Sequence, residues 1–457
     1  MRAVVMKFGG SSVIDGPAID RVVSIVDRER TAGSAPVVVV SALGGVTDSL
    51  LALADGARTA RKPLIAEALK SLTDRHFAEA ARVAPSTAWL KDALQGHLDE
   101  LRTALSAAID TGGLAPSQAD VVAAAGELLS SRIVAAAMEQ RGLPAVWVDA
   151  RDAIVTDETY TRATPLPEET AQASAALLQP VIDAGKIPIL GGFIGRTVDG
   201  HTTTLGRGGS DYSAALVGSA IGAAEIQIWT DVDGMLTADP RIVADAEVVS
   251  HLSFVEAAEL AYFGAKVLHP STIFPAVSRN IPVRILNSHR PDGSGTLITA
   301  EPPVRSRPFA ALACKRGITV IDITSTRMLM AHGFLRRVFE AFERNATAVD
   351  VVTTSEVSVS VTIDDNRRGA DIVADLLEIA DVTVEEQMAI LTVVGERLTT
   401  HSALAARVIG ALTGFPLRMI SQAASRRNVT IVLPEAYLAP AMMHLHRELF
   451  AVAEPAR

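Results

Sequence analysis

Short runs of β-branched and other apolar residues alternate with longer helical patterns from residue 2 to about residue 299. The runs are apolar on both faces, which is typical of strands in a sheet that helices cover on each side. Helical patterns lie between them, so the alternation predicts a layered α/β domain. The predicted strands are 3–8, 35–43, 144–150, 186–193, 225–232 and 281–286, and the predicted helices are 17–31, 120–141, 168–184 and 210–221.

The stretch from about 47 to 112 departs from this rhythm, because it is helical almost throughout and contains no strand pattern. We interpret it as a helical insertion in the α/β domain. Near residue 300 the sequence TAEPPVRSRP is dense in proline and charge, which is typical of a boundary between domains. The first domain is therefore predicted to span residues 1–302.

Beyond this boundary the pattern runs strand, helix, strand, strand, helix, strand, and then repeats. Two ferredoxin-like βαββαβ units in tandem are the simplest account of it. The first unit is predicted over 303–387 and the second over 388–457, with strand 309–314 as a candidate to complete the second. By analogy of fold, such a pair indicates small-molecule sensing or subunit contact.

Composition narrows the class of protein. A chain of 457 residues exceeds the ~250–300 residues at which a single core stops growing, so we expect two or three domains. The net charge of −10 argues against a nucleic-acid or anionic-membrane partner. Cys314 is the only cysteine, which excludes an internal disulfide and a cysteine-rich zinc site. Without a signal-like start or a long apolar stretch, we expect a cytoplasmic protein.

Two glycine-bearing turns follow predicted strands. In KFGGSSV (7–13), Lys7 precedes two glycines and two serines, so the backbone N–H groups and the lysine could bind an anion. A plain strand-to-helix turn with an exposed lysine end explains it equally well. In SALGGVTDSL (41–50), Ser41 and Thr47 could donate to a second anionic group, although an ordinary loop with a helix cap is the simpler interpretation.

The stretch TTTLGRGGSDYSAA (202–215) is the most informative. Arg207 offers a planar pair of donors to a carboxylate or phosphate, and the surrounding glycines permit close approach of a ligand. Asp211 could be only a helix cap, but a cap does not require an arginine among three glycines. A functional interpretation is therefore favoured here.

Three further segments carry charges whose roles depend on these turns. The aspartates of WTDVDGMLTADPR (229–241) resemble the start of a calcium-binding loop, but the glutamate that ends an EF-hand loop is missing. A loop on the nucleotide side of the site, with Arg241 bound to a phosphate, is the more coherent interpretation. Lys266 lies in YFGAKVLHP (262–270), where a surface lysine is the ordinary interpretation. Glu127 lies in AAAGELLSSRI (123–133), interpreted as an apolar helix start, where a glutamate commonly meets the helix dipole.

Taken in order, KFGGSSV, GGFIG, TTTLGRGGSDYSAA, WTDVDGMLTADPR and FGAKVLHP closely resemble the aspartate kinases of the amino-acid kinase family. TTSEVSVSVTID (353–364) resembles their regulatory ACT domains, and the likeness is to the monofunctional lysine-sensitive type. The resemblance implies an amino-acid-kinase three-layer sandwich followed by two ACT domains. It also implies ATP- and Mg²⁺-dependent phosphorylation of L-aspartate to 4-phospho-L-aspartate, the first step toward lysine, methionine and threonine.

The resemblance assigns residues to three sites, with no protein metal site. The ATP residues would be Lys7, Gly9, Gly10, Thr230, Asp231, Arg241 and Lys266. The aspartate residues would be Ser41, Thr47, Glu127, Phe193, Arg207 and Ser210, while Lys7, Asp211 and Lys266 would be catalytic. An amino-acid effector, lysine by this pattern, would bind Met328, Gly333, Phe334, Val349, Asp350 and Glu356.

The chain departs from the family pattern at a few positions. Ala331 and Ala348 replace serines of the lysine site, and Leu236 replaces an aromatic residue near the nucleotide. A homodimer or dimer of dimers through the ACT domains is implied as well. Two alternatives stay open: a related acyl-phosphate-forming amino-acid kinase, such as one for glutamate, and a catalytically silent ACT-based sensor.

Overall fold

The computed structural model describes residues 2–58, 62–111, 113–264, 270–301, 305, 307–325, 332–396, 398, 400–422 and 425–450. The chain forms two compact units. The first unit comprises residues 1–235, 250–254 and 267–302, and the second comprises 236–249, 255–266 and 303–457. Two segments that the sequence analysis places in the first domain therefore pack within the second unit. The domain boundaries at 302 and 387 stay predictions.

The first unit is built on an eight-stranded sheet in the order β3-β5-β2-β1-β8-β10-β11-β9, and only the pair β10 and β11 is antiparallel. A three-stranded sheet of β4, β6 and β7 lies in the same unit. The strands are β1 Arg2–Phe8, β2 Ser34–Val40, β3 Ala145–Trp147, β4 Val155–Thr156, β5 Ile187–Gly191, β6 Ile194–Thr197, β7 Thr202–Thr204, β8 Glu225–Thr230, β9 His251–Ser253, β10 Val283–Asn287 and β11 Thr296–Thr299.

Helices cover this sheet, as the apolar strands require. Within the described residues, the predicted insertion consists of the long helices α2 to α4. The helices are α1 Gly16–Thr31, α2 Val46–Arg58, α3 Lys62–Val83, α4 Ala88–Thr111, α5 Pro116–Gln140, α6 Ala150–Ala153, α7 Pro167–Asp183, α8 Gly209–Ala220 and α10 Phe274–Ser278, whereas α9 Phe254–Tyr262 belongs to the second unit apart from its first residue. Each of the six predicted strands and four predicted helices is present, with ends shifted by a few residues.

Helix α5 has the length and hydropathy of a membrane span, but 89% of its most apolar window is buried inside the chain, as in a core helix. It packs tightly because of Gly126. A Cβ added there would lie 2.8 Å from the Ala42 Cβ and 3.1 Å from side-chain carbons of Val46 and Leu50. The glycine therefore lets α5 approach the turn that follows β2 more closely than any other residue would permit.

The second unit contains one six-stranded sheet in the order β13-β14-β12-β15-β17-β16, antiparallel throughout its described pairs. The two βαββαβ series share it, because β12 and β15 are long enough to run through both halves. Residues 309–315 of β12 pair with 390–395 of β15, and 318–324 pair with 381–388. The elements are β12 Phe309–Thr324, α11 Phe334–Arg344, β13 Val352–Thr354, β14 Ser358–Ile363, α12 Gly369–Leu377, β15 Asp381–Gly395, α13 Ser402–Ala411, β16 Met419–Gln422, β17 Asn428–Pro434 and α14 Leu438–Phe450.

Two helical glycines predict stability changes of opposite sign. Gly96 lies in α4 with nothing within 4 Å of an added Cβ, so Gly96→Ala should stabilise the protein by about 1 kcal/mol through helix propensity. Gly126→Ala should destabilise it by roughly 1–2 kcal/mol, because overpacking against Ala42 outweighs the same gain. Thermal and urea unfolding of both variants measure this. Equal effects of the two substitutions would contradict the close approach at α5.

Candidate active site

A cavity of about 510 Å³ opens in the first unit, where β1, β2 and β5 end and α8 begins. Carboxyl ends of parallel strands are where open α/β sheets bind ligands. The lining residues come from separate parts of the sequence, and they include the six predicted aspartate residues together with Lys7, Gly10 and Asp211. The predicted residues that line the cavity are Lys7, Gly10, Ser41, Thr47, Glu127, Phe193, Arg207, Ser210 and Asp211.

Lys7 and Asp211, which both line this cavity, form an ion pair. Lys7 Nζ lies 2.6 Å from Asp211 Oδ1, and the two side chains are only 11% and 15% exposed. Helix α8 starts at Gly209, after Gly208 in the left-handed conformation with a φ of 73°. Asp211 therefore lies in the first helical turn, where the helix dipole favours a carboxylate, and it is not the cap that the sequence allowed.

Glu127 projects into the same cavity from the interior of α5, eleven residues after the helix begins at Pro116. The interpretation of this segment as a helix start is wrong, because α5 begins at Pro116 and continues through Gly126. The Glu127 side chain is 3% exposed, and its Oε2 atom has no hydrogen-bond partner among the described residues. Burial raises the pKa of Glu127 to about 8, although the Ala42 N–H and the Lys7 charge oppose the shift.

Close backbone approaches hold these groups in place. A Cβ on Gly191, the last residue of β5, would lie 2.9 Å from the Glu127 carbonyl oxygen, and one on Gly192 would lie 2.7 Å from the Ser210 Cβ. The next residue, Phe193, has a φ of 69°, and its N–H donates to Ser213 Oγ at 2.9 Å. The turn 191–193 is thus clamped between α5 and α8, which fixes the ring of Phe193 at the cavity.

The side chain of Arg207 is exposed, but the backbone of the turn that carries it is held on both sides. Gly206 has a φ of 72°, and the Leu205 N–H donates to the Phe193 carbonyl at 2.9 Å. The guanidinium has no ion-pair partner among those found in the described residues, so it is available to an anion.

The predicted nucleotide residues Gly9, Thr230 and Asp231 lie next to each other, because β1 and β8 are parallel neighbours that end together. The Gly9 N–H donates to the Trp229 carbonyl at 3.1 Å. It is therefore engaged within the protein, and the proposed anion nest cannot use this N–H group. A Cβ on Gly9 would lie 3.6 Å from Lys7 Nζ, which is ordinary contact distance.

The polar residues at the end of β10, Asn287 and Ser288, were not among the predicted site residues. Ser288 Oγ lies 2.8 Å from Ser12 Oγ and donates to the Thr230 carbonyl at 3.1 Å. Asn287 donates to Asp233 Oδ1 at 2.7 Å. A polar cluster, NSHR, directly after an apolar strand was the available signal, because β10 lies beside β8 and ends at the same sheet edge.

Mg²⁺ accompanies ATP in phosphoryl transfer, and the donor set at this edge fits an ion held mainly by phosphates and water. Within the part of the chain that the structure describes, no group of three or more His, Cys, Asp or Glu residues could hold a metal by itself. Asp231 is an exposed carboxylate beside Gly9, which suits a single protein contact to such an ion.

Of the predicted nucleotide residues that the structure describes, Lys7 and Gly10 line the cavity, whereas Gly9, Thr230, Asp231 and Arg241 do not. Arg241 belongs to the second unit, where its guanidinium is 85% exposed and lies 2.6 Å from Asp239 Oδ2. Leu236, noted for the nucleotide base, belongs to the second unit too and pairs with Val248 in a short bridge. Lys266 lies outside the described residues.

The predicted effector residues lie in the second unit, apart from Met328 and the substituted Ala331, which are outside the described residues. Gly333 precedes α11 with a φ of 82°, Phe334 is buried in the core, and Glu356 is exposed. Asp350 is already paired: Lys315 Nζ lies 2.7 Å from its Oδ1 atom. Val349 packs at the edge of the same core, and Ala348 is exposed.

Comparison with known proteins agrees with this arrangement. The amino acid kinase family matches residues 2–287, and the ACT domain family matches residues 391–449. The lysine-sensitive aspartokinase 3 of Escherichia coli strain K12 is 36% identical, with 98% of this chain and 99% of that protein aligned. The chloroplastic aspartokinase 3 of Arabidopsis thaliana is also 36% identical, over 98% of this chain and 81% of that protein.

Solved structures give the same result. E. coli aspartokinase III in complex with lysine and aspartate matches with a TM-score of 0.84 and 35% identity, covering 98% of this chain and 99% of that one. Its complex with aspartate and ADP matches with a TM-score of 0.82 and 36% identity, covering 98% and 100%. The chain therefore belongs to the amino acid kinase family, as an aspartokinase with a C-terminal ACT unit.

Proposed function

We propose that the cavity binds L-aspartate and that Lys7 stabilises the γ-phosphoryl group of ATP during its transfer to the side-chain carboxylate. The observation that carries this proposal is the convergence of Lys7, Glu127 and Arg207 on one cavity. Their charges match a substrate that carries one ammonium and two carboxylates. The product, 4-phospho-L-aspartate, opens the biosynthesis of lysine, methionine and threonine.

The reaction makes few chemical demands on the protein. A substrate carboxylate with an unperturbed pKa near ~3.9 is already ionised at neutral pH, so no general base is required. Catalysis then consists of positioning and of neutralising charge on the transferring group. Asp211 holds the Lys7 ammonium at the end of β1, and Thr230 and Asp231 face the nucleotide side. Mg²⁺, when bound with ATP, supplies further neutralisation of the phosphates.

Substrate selection depends on the α-groups of aspartate. Glu127 accepts from the ammonium, and Arg207 pairs with the α-carboxylate, while Ser41, Thr47 and Ser210 surround them with hydroxyl groups. An analogue without the ammonium leaves Glu127 buried and unpaired, which costs binding energy. Arg241 and Lys266 remain proposed nucleotide contacts on the family resemblance alone.

For regulation, we infer that lysine binds the second unit at Asp350. Lysine and aspartate together occupy one structure of E. coli aspartokinase III, which supports lysine as the effector class. In this chain an effector ammonium must compete with Lys315, whose Nζ also lies 3.1 Å from Asp364 Oδ2 and 4.6 Å from the centre of the Tyr262 ring. Dimerisation through the ACT unit and a cytoplasmic location complete the proposal.

The first prediction concerns the acceptor and Lys7. Coupled ADP release should require aspartate and be near background with glutamate or without an acceptor. Lys7→Ala should lower kcat for aspartate by roughly 10²–10³-fold, because a preorganised charge is removed. Lys91→Ala, an exposed lysine of α4 in the same unit, is the matched control. Turnover of Lys7→Ala near that of the control, or ADP release with glutamate alone, would contradict the proposal.

The second prediction concerns pH. With its pKa raised to about 8, Glu127 is mostly neutral in the free enzyme at neutral pH, so kcat/KM for aspartate should rise with pH up to about 8. Glu127→Gln stays neutral at every pH. At pH 8.5 its kcat/KM for aspartate should be roughly 10–100-fold lower than that of the parent protein. The rise of kcat/KM with pH up to about 8 should also be absent.

The pH dependence of the unfolding free energy tests the raised pKa of Glu127 independently of catalysis. Between the ordinary pKa of 4.5 and about 8, the folded chain holds a proton on Glu127 that the unfolded chain has lost. Stability of the unliganded protein should therefore fall as pH rises through this window, relative to Glu127→Gln. A difference in unfolding free energy that stays constant with pH would exclude the raised pKa.

The third prediction concerns the effector. Lys315→Met frees the Asp350 carboxylate, so the lysine concentration for half-inhibition should fall by about tenfold, the equivalent of one modest ion pair. Arg316→Met is the control, since this neighbouring cation pairs with Glu435 instead. Unchanged or weaker inhibition of Lys315→Met would exclude the competition. Separate titrations with threonine and methionine identify the effector if lysine does not inhibit either protein.

A further inference from the structure

Asp120 is a buried carboxylate that has no place in the proposed chemistry. It lies in α5, seven residues before Glu127, and is 1% exposed. It belongs to none of the ion pairs found among the described residues, so its charge is balanced by hydrogen-bond donors alone. A buried carboxylate without a cation is costly, and such a group usually has a structural or functional reason.

Its donors come from two different segments. The Thr161 N–H donates to both carboxylate oxygens, at 3.0 Å to Oδ1 and 2.9 Å to Oδ2. The Thr204 hydroxyl donates to Oδ1 at 2.5 Å. Thr204 ends β7, only three residues before Arg207, so Asp120 links the interior of α5 to the strand that leads into the arginine turn.

Thr161 is held in an unfavourable conformation. Its φ is 73°, in the left-handed region that β-branched residues rarely adopt. Such a conformation persists only where neighbouring interactions determine it, and it is found preferentially around functional sites. The two hydrogen bonds to Asp120 are the interactions that fix the Thr161 backbone.

The turn that contains Thr161 lies against the arginine turn. A Cβ on Gly206 would lie 3.5 Å from the Arg162 Cβ and 3.6 Å from the Thr161 carbonyl oxygen, which is ordinary contact distance. The Ala163 N–H also donates to the Thr204 carbonyl at 2.8 Å. Residues 161–163 therefore support Thr204 and Gly206 from one side, while Phe193 holds Leu205 from the other.

We propose that Asp120 is a positioning residue for substrate recognition, which acts through Thr161 and Thr204 to fix the turn that carries Arg207. This inference rests on the proposed role of Arg207 toward the substrate carboxylate. Because the guanidinium is exposed, its position depends on the backbone of the turn, which residues 161–163 and Phe193 hold from two sides. A displacement of about 1 Å at such a group is enough to change turnover substantially.

Steady-state kinetics of Asp120→Ala test the proposal. The expected result is a rise of roughly tenfold in KM for aspartate, with KM for ATP within twofold of the parent value. Asp120→Asn keeps one acceptor oxygen, so its KM for aspartate should lie between that of the parent protein and that of Asp120→Ala. It also keeps the test valid if Asp120→Ala does not fold. The matched control is Asp157→Ala, which removes the acceptor of the Thr159 and Thr164 N–H groups in the same loop, whereas the hydrogen bonds found for Asp157 involve neither Thr204 nor Gly206.

Rescue separates positioning from a general loss of stability. Glycine adopts a φ of 73° without strain, so Thr161→Gly should leave KM for aspartate nearly unchanged by itself. In the Asp120→Ala background it should recover part of the lost affinity, because the turn no longer needs the carboxylate to hold it. A simple packing role predicts a lower melting temperature with no such recovery.

Arg207→Met distinguishes failure of this inference from failure of the proposed function. If Arg207→Met raises KM for aspartate but neither Asp120 variant does, the positioning role is wrong and the site assignment stands. If Arg207→Met leaves KM for aspartate unchanged, Arg207 is not a substrate ligand and the inference falls with it. Equal increases in KM for ATP and aspartate in the Asp120 variants would also overturn it.

Discussion

The buried pair of Lys7 and Asp211 is the interaction around which the candidate active site is arranged. Removing both charges from water costs desolvation free energy. The attraction across the 2.6 Å between Nζ and Oδ1 offsets that cost only while the two side chains keep this geometry. The pair joins the end of a central strand to the first turn of α8. It therefore fixes where that helix begins, and with it the positions of Arg207 and Ser210 relative to the lysine.

The parts of this site that sequence could predict are those set by local rules. Lys7 was identifiable because it lies at the carboxyl end of an apolar strand just before two glycines, where parallel sheets bind ligands, and Arg207 was identifiable because it lies among glycines directly before a helix. Glu127 was assigned to the substrate residues only through the family resemblance, and it lines the cavity. Its position in the helix was misjudged, because the segment was interpreted as a helix start, whereas α5 begins at Pro116 and Gly126 packs against Ala42 within it.

Other features depend on contacts between residues distant in sequence, which no local pattern records. The Gly9 N–H is engaged by Trp229, so a turn that resembles an anion nest lacks one of its donors. Segments 236–249 and 255–266 follow first-unit strands in sequence yet pack within the second unit. In the second unit, Glu259 of α9 accepts a hydrogen bond from Asn428, and Glu256 of α9 forms an ion pair with Arg305. The periodicity of the sequence could not have predicted these two contacts.

Helix α5 shows how one face of a helix can carry two buried carboxylates with different roles. Asp120 and Glu127 lie seven residues apart, two turns along the same face. Burial raises the pKa of both carboxyl groups, but Asp120 receives donors from Thr161 and Thr204 that lower it again, whereas Glu127 Oε2 receives none. A carboxylate whose donors are all supplied by the protein can only hold structure in place. One that lacks a donor must obtain it from a ligand, and an ammonium group satisfies that need. The proposed positioning residue and the proposed binding residue on this helix therefore differ in the number of donors that the fold already provides.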